Sequence, residues 1–358
     1  MATPILRPSR LAAINDRSSI EPHVAGLPAL PAIDWSAGGY TAPALLDTPP
    51  QLPKADVVII TWAGAEWAAL QHVFCTSTTP MSYANRHPKP FNGWQQDADA
   101  LPAGGPADWT FWGYHRLVQV GDKRVLLVKS NTHLDWPGQT ILTSYVNRLI
   151  DQCNPSLLLS IGTAGGTIPT DHVGTVRLVS GATLYNSHQP AASWPTYASH
   201  WHAPSTILND TAFANLLMPI PITQAALGQL RDQLDTHEQT TTTLAELDPA
   251  HLNEPDPHPQ IHNQTHGTET LLTADSFVVG TIDGDFKNYA CIEMDDAIVA
   301  SACTAKSLPC GFVRNISDPA QNNALPVKTQ GAWGSTIYDA YGLYTSYNGA
   351  LASWAVIA

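Results

Sequence analysis

The chain has 358 residues with 17 Lys+Arg against 30 Asp+Glu, a formal net charge of −13, and is long enough for one large domain or two small ones around a sizeable core. So acidic a balance argues against a surface that grips nucleic-acid polymers by neutralising phosphates, and for a small ligand. Charged residues are only 13% while Pro reaches 29 and Trp 11, which excludes a disordered or coiled-coil chain; no run of apolar residues is long enough to span a bilayer.

The opening segment, MATPILRPSRLAAINDRSSIEP, lacks the compact apolar stretch and small-residue cleavage site of a secretory signal, so a cytoplasmic location is expected. Residues 1–53 contain nine prolines. Each removes a backbone donor and fixes φ, so 1–54 reads as an extended arm, without a packed element, that wraps over the body or a partner. At Asp56 the texture changes, and 55–358 reads as one domain of short β-branched runs separated by helical patterns. Residues 57–60, 125–128, 157–161, 176–179 and 311–313 read as strands buried on both faces, while 66–76, 138–151 and 295–307 show helical spacing of apolar residues. Their alternation predicts a three-layer α/β/α domain on a central mixed sheet. Two insertions break the rhythm. Residues 80–113, with Phe91, Trp94, Trp109, Phe111 and Trp112, read as a loop that caps something rather than as core; 186–270, rich in His, Thr, Asn and Pro, read as a surface excursion or lid with one helix near 223–235. Five cysteines without C-x-x-C spacing signal neither a disulfide framework nor a zinc site and read as buried free thiols.

Three stretches place polar residues just beyond a buried strand, where open α/β sheets gather ligands. In DVVIITWAGAEWAAL (56–70) a strand runs into a small-residue turn and Glu66 opens the next helix. Taken alone, an acidic residue there complements the helix dipole and caps amides. LLLSIGTAGGT (157–167) is a strand ending in a glycine-rich turn. Such a turn either lets a ligand approach the backbone or is only a turn; without G-x-G-x-x-G or the P-loop Gly-Lys-Ser/Thr it argues against dinucleotides and triphosphates. The third stretch joins CIEMDDAIVA (291–300) to CGFVRNISD (310–318). Carboxylates at strand ends beside apolar residues are the kind that burial tunes for acid–base work, while one of Asp295 and Asp296 is expected to cap the following helix.

In this order and at these separations the three stretches resemble the purine nucleoside phosphorylase and uridine phosphorylase superfamily, and most closely its methylthioadenosine/S-adenosylhomocysteine nucleosidase branch. The family's glycine turn is matched by IGTAGG (161–166) with VGTV (173–176) after it, its Met-Glu helix start by Glu293-Met294-Asp295, and its Arg-x-Ile-Ser-Asp ending by RNISD (314–318). TADSF (273–277) falls where the family supplies an aromatic to the base. The resemblance covers roughly 55–185 and 270–350 and implies a nucleoside phosphorylase-like fold.

Breaking an N-glycosidic bond builds an oxocarbenium-like sugar and an anionic purine, so a proton must reach the base and a nucleophile the anomeric carbon. The resemblance makes Asp318 the acid at N7 of a purine, oriented by Ser317. It makes Glu66 the carboxylate that activates water, at the position where bacterial hexameric phosphorylases place a phosphate-binding Arg. Thr163 and Arg314 match positions that help hold that water, Met294 lies under the ribose, and Phe277 stacks on the base. Ala164, Gly165, Val278 and Glu293 complete the implied substrate contacts.

Two departures stand out. Asp295 replaces the family's usual Glu, which grips the ribose 2′- and 3′-hydroxyls, and KSNTHLDWPG (129–138) replaces a glycine-rich segment, so that His133, Asp135 and Trp136 either line the pocket or shield a strand end. The implied activity is hydrolysis of an adenosine-type, methylthioadenosine-like nucleoside to free base and sugar, with no metal or organic cofactor. The alternatives are phosphate-dependent phosphorolysis or a nucleoside sensor without turnover. A homodimer is expected, because the arm and the aromatic 80–113 loop offer apolar surface to a partner. His258, His262 and His266 are spaced by four, but Pro257, Pro259, Asn263 and Gly267 disfavour a helix, so a solvated loop is expected rather than a metal site. His200-Trp201-His202 alternates as a strand or an extended lid would.

Overall fold

β-branched runs become the middle of one mixed sheet in the computed structural model, which describes residues 5–6, 22–247, 259–321 and 325–358. The first half runs β1 (Ile5–Leu6), β2 (Ala44–Leu45), β3 (Val57–Thr61), α1 (Gly64–Cys75), β4 (Gln95–Asp97), β5 (Gly113–Val120), β6 (Lys123–Ser130), α2 (Gln139–Cys153) and β7 (Leu157–Gly165). It continues with β8 (Val176–Val179), β9 (Gly181–Leu184), β10 (Thr196–Ala198), α3 (Thr211–Ala214), α4 (Gln224–Glu238), α5 (Leu244–Leu247) and β11 (Ile261–Asn263). The last part holds β12 (Leu271–Thr273), β13 (Phe277–Val278), β14 (Ile292–Glu293), α6 (Asp296–Ala305), β15 (Cys310–Asp318) and α7 (Val327–Ala355). Among the described residues, 13 strands form the main sheet, and β1 pairs with β13 apart from it. At its centre β6, β3, β7 and β15 are successive parallel neighbours.

Two-residue alternation divides these strands between two cores. Val57, Ile59, Val125, Leu127 and Val313 face one cluster shared with α1, α4 and α7, whereas Val58, Ile60, Leu126, Val128 and Phe312 face another shared with α2 and α6. This is the three-layer α/β/α arrangement.

The arm and insertions differ from their expected forms. In the arm, Leu30, Ile33 and Trp35 are buried against α1 and α7, and β2 pairs antiparallel with β5. Extended, proline-fixed backbone suits an edge strand, so the arm adds to the core instead of only wrapping it. In the 80–113 segment the indoles of Trp94, Trp109 and Trp112 turn inward: Trp94 packs edge-on to Trp67 of α1 and Trp112 stacks on Tyr145 of α2. These three indoles are therefore not exposed, and Leu45 and Ile168 are the large exposed hydrophobics among the described residues. The 186–270 segment supplies β10 and β11 to the sheet and buries Leu227, Leu230 and Leu234 of α4 in the α7 core. Trp201 lies over Gly311 of β15, where a Cβ would overlap its ring.

Candidate active site

The ends of the central parallel strands open into a cavity of about 140 Å³. All the residues that the resemblance implies as catalytic or substrate-contacting line it: Glu66, Thr163, Ala164, Gly165, Phe277, Val278, Glu293, Met294, Asp295, Arg314, Ser317 and Asp318. His133 and Asp135 line it too, and Trp136 does not. Sequence reasoning missed Trp62 and Ala63, which their place in the β3–α1 turn could have suggested, and Ser335 and Tyr338, which come from α7.

Glu66 is the third residue of α1 and is buried. Its Oε2 accepts from Thr61 Oγ1 at 2.9 Å, Trp62 N at 2.9 Å and Ala63 N at 2.7 Å, and its Oε1 accepts from Thr163 N at 2.7 Å and Thr163 Oγ1 at 2.8 Å. It thus caps its own helix and also tethers β7, so the helix-start and cavity readings both apply. Gly162 permits the approach: a Cβ there would overlap the Arg314 guanidinium and lie 2.8 Å from Glu66 Oε1.

Behind this carboxylate lies a buried ion cluster. Arg314 pairs with both oxygens of Asp296, through Nε at 2.7 Å and through Nη2, and Nη2 also donates to Ser160 Oγ at 2.8 Å. Ser160 donates to Asp296 at 2.5 Å and accepts from the Trp62 indole at 3.0 Å. Glu293, 3.4 Å from Arg314, has its carboxyl pushed up to about 8 by burial and by the Asp296 charge, with Arg314 opposing. Two acids and one guanidinium are therefore electrostatically coupled in one buried cluster.

The expected helix cap is corrected. Neither Asp295 nor Asp296 caps α6 with its side chain; Glu293 does, accepting from Asp295 N at 2.6 Å and Asp296 N at 3.0 Å. It can because it precedes the helix on β14 and reaches back over the free amides. Asp295 turns away, accepting from Leu134 N at 2.8 Å with His133 Nδ1 at 3.1 Å.

At the other end of the cavity Ser317 Oγ donates to Asp318 Oδ1 at 2.9 Å, and Gly165 leaves room for Oδ2. Burial pushes the Asp318 carboxyl up to about 7, against the lowering by Ser317. It can therefore give a proton at neutral pH. Phe277 leans on α7 where Gly334 lacks a side chain, and Tyr338 joins it from the same helix, its phenol pushed well up by burial.

Arg314 is the cavity's cationic side chain among the described residues. Arg86 lies over the Tyr83 ring at 4.5 Å and Arg116 donates to Gly93 O at 2.5 Å, and neither lines the cavity. Lys129 is buried nearby without lining it, and burial lowers its ammonium to about 8 against the pull of Glu66 and Asp295. Among the described residues no group of three His, Cys, Asp or Glu is placed to hold a metal. His258 lies outside the described residues, His202 and His266 stack at 4.5 Å, and neither of that pair lines the cavity.

No protein-family model matches the chain, and no curated protein matches it. Solved structures similar to it include futalosine hydrolase of Helicobacter pylori strain 26695, at 12% identity and TM-score 0.45, over 86% of this chain and 97% of that one. Others are 5′-methylthioadenosine/S-adenosylhomocysteine nucleosidases. That of Neisseria meningitidis stands at 13% identity and TM-score 0.45 over 84% of this chain and 97% of that one, and that of S. pneumoniae at 17% identity and TM-score 0.45 over 84% and 99%.

Proposed function

We propose that this chain is a purine nucleosidase that hydrolyses the N-glycosidic bond of an adenosine-type nucleoside. Support comes from two carboxyl groups in one cavity held in opposite environments: Asp318 is buried and pushed up to about 7, whereas Glu66 is surrounded by N–H and O–H donors. Such different environments support an acid at one carboxyl and a base at the other. Asp318 gives its proton to the leaving purine as the bond breaks, while Glu66 draws a proton from water that attacks the anomeric carbon. A carboxylate has about four lone-pair sites, and five donors fill those of Glu66. Water reaches Oε1 when the Thr163 hydroxyl, the rotatable donor on that oxygen, turns its proton away.

Hydrolysis is favoured over phosphorolysis because phosphate needs uncommitted positive charge. Arg314 is bound to Asp296 and Ser160, and Glu66 stands beside it. The filled lone pairs of Glu66 favour one second reading, a nucleoside-binding module without turnover. The test is to incubate adenosine and methylthioadenosine with and without phosphate and identify the sugar product. Base release independent of phosphate, giving free sugar and lost in Glu66→Gln, is expected. A sugar 1-phosphate formed only with phosphate refutes hydrolysis, and binding without base release establishes the module.

A further inference from the structure

The resemblance assigns the sugar to Asp295, yet Asp295 is occupied by the loop after β6. As a carboxylate it accepts from Leu134 N with one oxygen and from His133 Nδ1 with the other. In the neutral imidazole that pairing puts the proton on Nδ1 and leaves Nε2 as the acceptor. His133 is 6% exposed and lines the cavity, and its Nε2 has no hydrogen-bond partner among the described residues. A buried acceptor left so costs about 1–3 kcal/mol. The ring is also fixed in place. Its backbone N donates to Trp136 O at 2.7 Å, Gly138 N donates to its carbonyl at 3.2 Å, and its ring centroid lies 5.6 Å from that of Trp62. A buried, oriented acceptor is the form a recognition group takes.

Strand order tells which part of a nucleoside meets it. Across the sheet the sequence is β15, β7, β3, β6. Asp318 ends β15, Glu66 follows β3, and His133 follows β6, on the far side of Glu66 from Asp318. A nucleoside with its base at Asp318 and its anomeric carbon at Glu66 carries its sugar toward the His133 side of the cavity, and the donors a sugar offers there are hydroxyl protons. We infer that His133, positioned by Asp295, determines specificity by accepting a hydrogen bond from one sugar hydroxyl, so that the substrate is a nucleoside that keeps it. The inference rests on the nucleosidase reading of the cavity for the placement of base and sugar.

The test compares kcat/KM for adenosine with its 2′-deoxy, 3′-deoxy and 5′-deoxy analogues in the wild type, His133→Ala and His133→Asn. In the wild type one analogue is expected to lose about 10- to 100-fold, as for one buried hydrogen bond. In both variants that ratio is expected to fall to within about threefold of unity. His133→Asn keeps an N–H toward Asp295 but has no Nε2, so it separates loss of the acceptor from disturbance of Asp295. A wild type indifferent to all three deletions, or a ratio that survives in both variants, overturns the inference. If no nucleoside is turned over, the nucleosidase reading fails by itself, and calorimetric titration of the same proteins with the same four nucleosides reads the ratio as Kd, with the same two outcomes.

Discussion

Asp318→Asn removes a titration while keeping the shape of the side chain, so it tests the proposed acid through stability as well as rate. The carboxyl stands at about 7 instead of its ordinary 3.8, with burial as the cause. Between those values the folded chain binds more protons than the unfolded one. Stability contributed by this group is therefore complete below the lower value, falls as pH rises through the window, and is lost above about 7. Roughly three pH units at about 1.4 kcal/mol each give about 4 kcal/mol as an upper figure for the cost of keeping the carboxylate buried. Asparagine does not titrate. The variant should therefore be more stable than the wild type, with a margin that widens by about 1 kcal/mol per unit from about pH 5 to about pH 7 and then levels. Urea unfolding of both proteins across this range measures the margin, and base release in the same buffers should fall by about 10²–10⁴-fold in the variant. Wild-type kcat/KM should decline above pH 7 as the acid loses its proton. Parallel stability curves would refute the reasoning whatever the activity, because they would show that Asp318 ionises without penalty.

Two glycines supply further predictions. Gly162→Ala puts a methyl group against the Arg314 guanidinium and the Glu66 carboxylate; steady-state assay should show base release lowered by about 10²-fold, since small displacements of a catalytic group cost that much. Gly311→Ala drives a methyl group into the Trp201 ring, and its urea midpoint should report about 1–3 kcal/mol of destabilisation. Adding Trp201→Ala should recover part of that loss, because the two changes share one contact.

Where the sequence was legible, the physics was local. Val57, Val58, Ile59 and Ile60 form a run that only a strand covered on both faces can bury, and the cavity residues follow such runs directly. α7 was not legible. Its 29 residues include Gly331, Gly334, Gly342 and Gly349 among Thr, Ser, Asn and Tyr, a composition with weak helix propensity. It is held between α1 and the β15–β7 face, so it is buried on nearly every side and has no apolar stripe to reveal it. The tryptophans of 80–113 misled in the opposite direction, since prolines nearby suggested a loop while the indoles found partners on α1 and α2. Likewise nothing in the spacing of His133 and Asp295 announces their contact, which forms across 162 residues of chain.

The commitment of Arg314 to Asp296 and Ser160 also sorts ligands by charge. Its guanidinium is spent inside the cluster, and the cavity retains Glu66 and Asp295 without an unengaged cation among the described residues. A sugar that develops positive charge is welcome in such a field. A 5′-phosphate is not: near a protein surface each like-charge pair at about 8 Å costs about 2 kcal/mol. On the proposed function, nucleosides would enter and the corresponding nucleotides be turned away, a selection made by electrostatic field and not by shape.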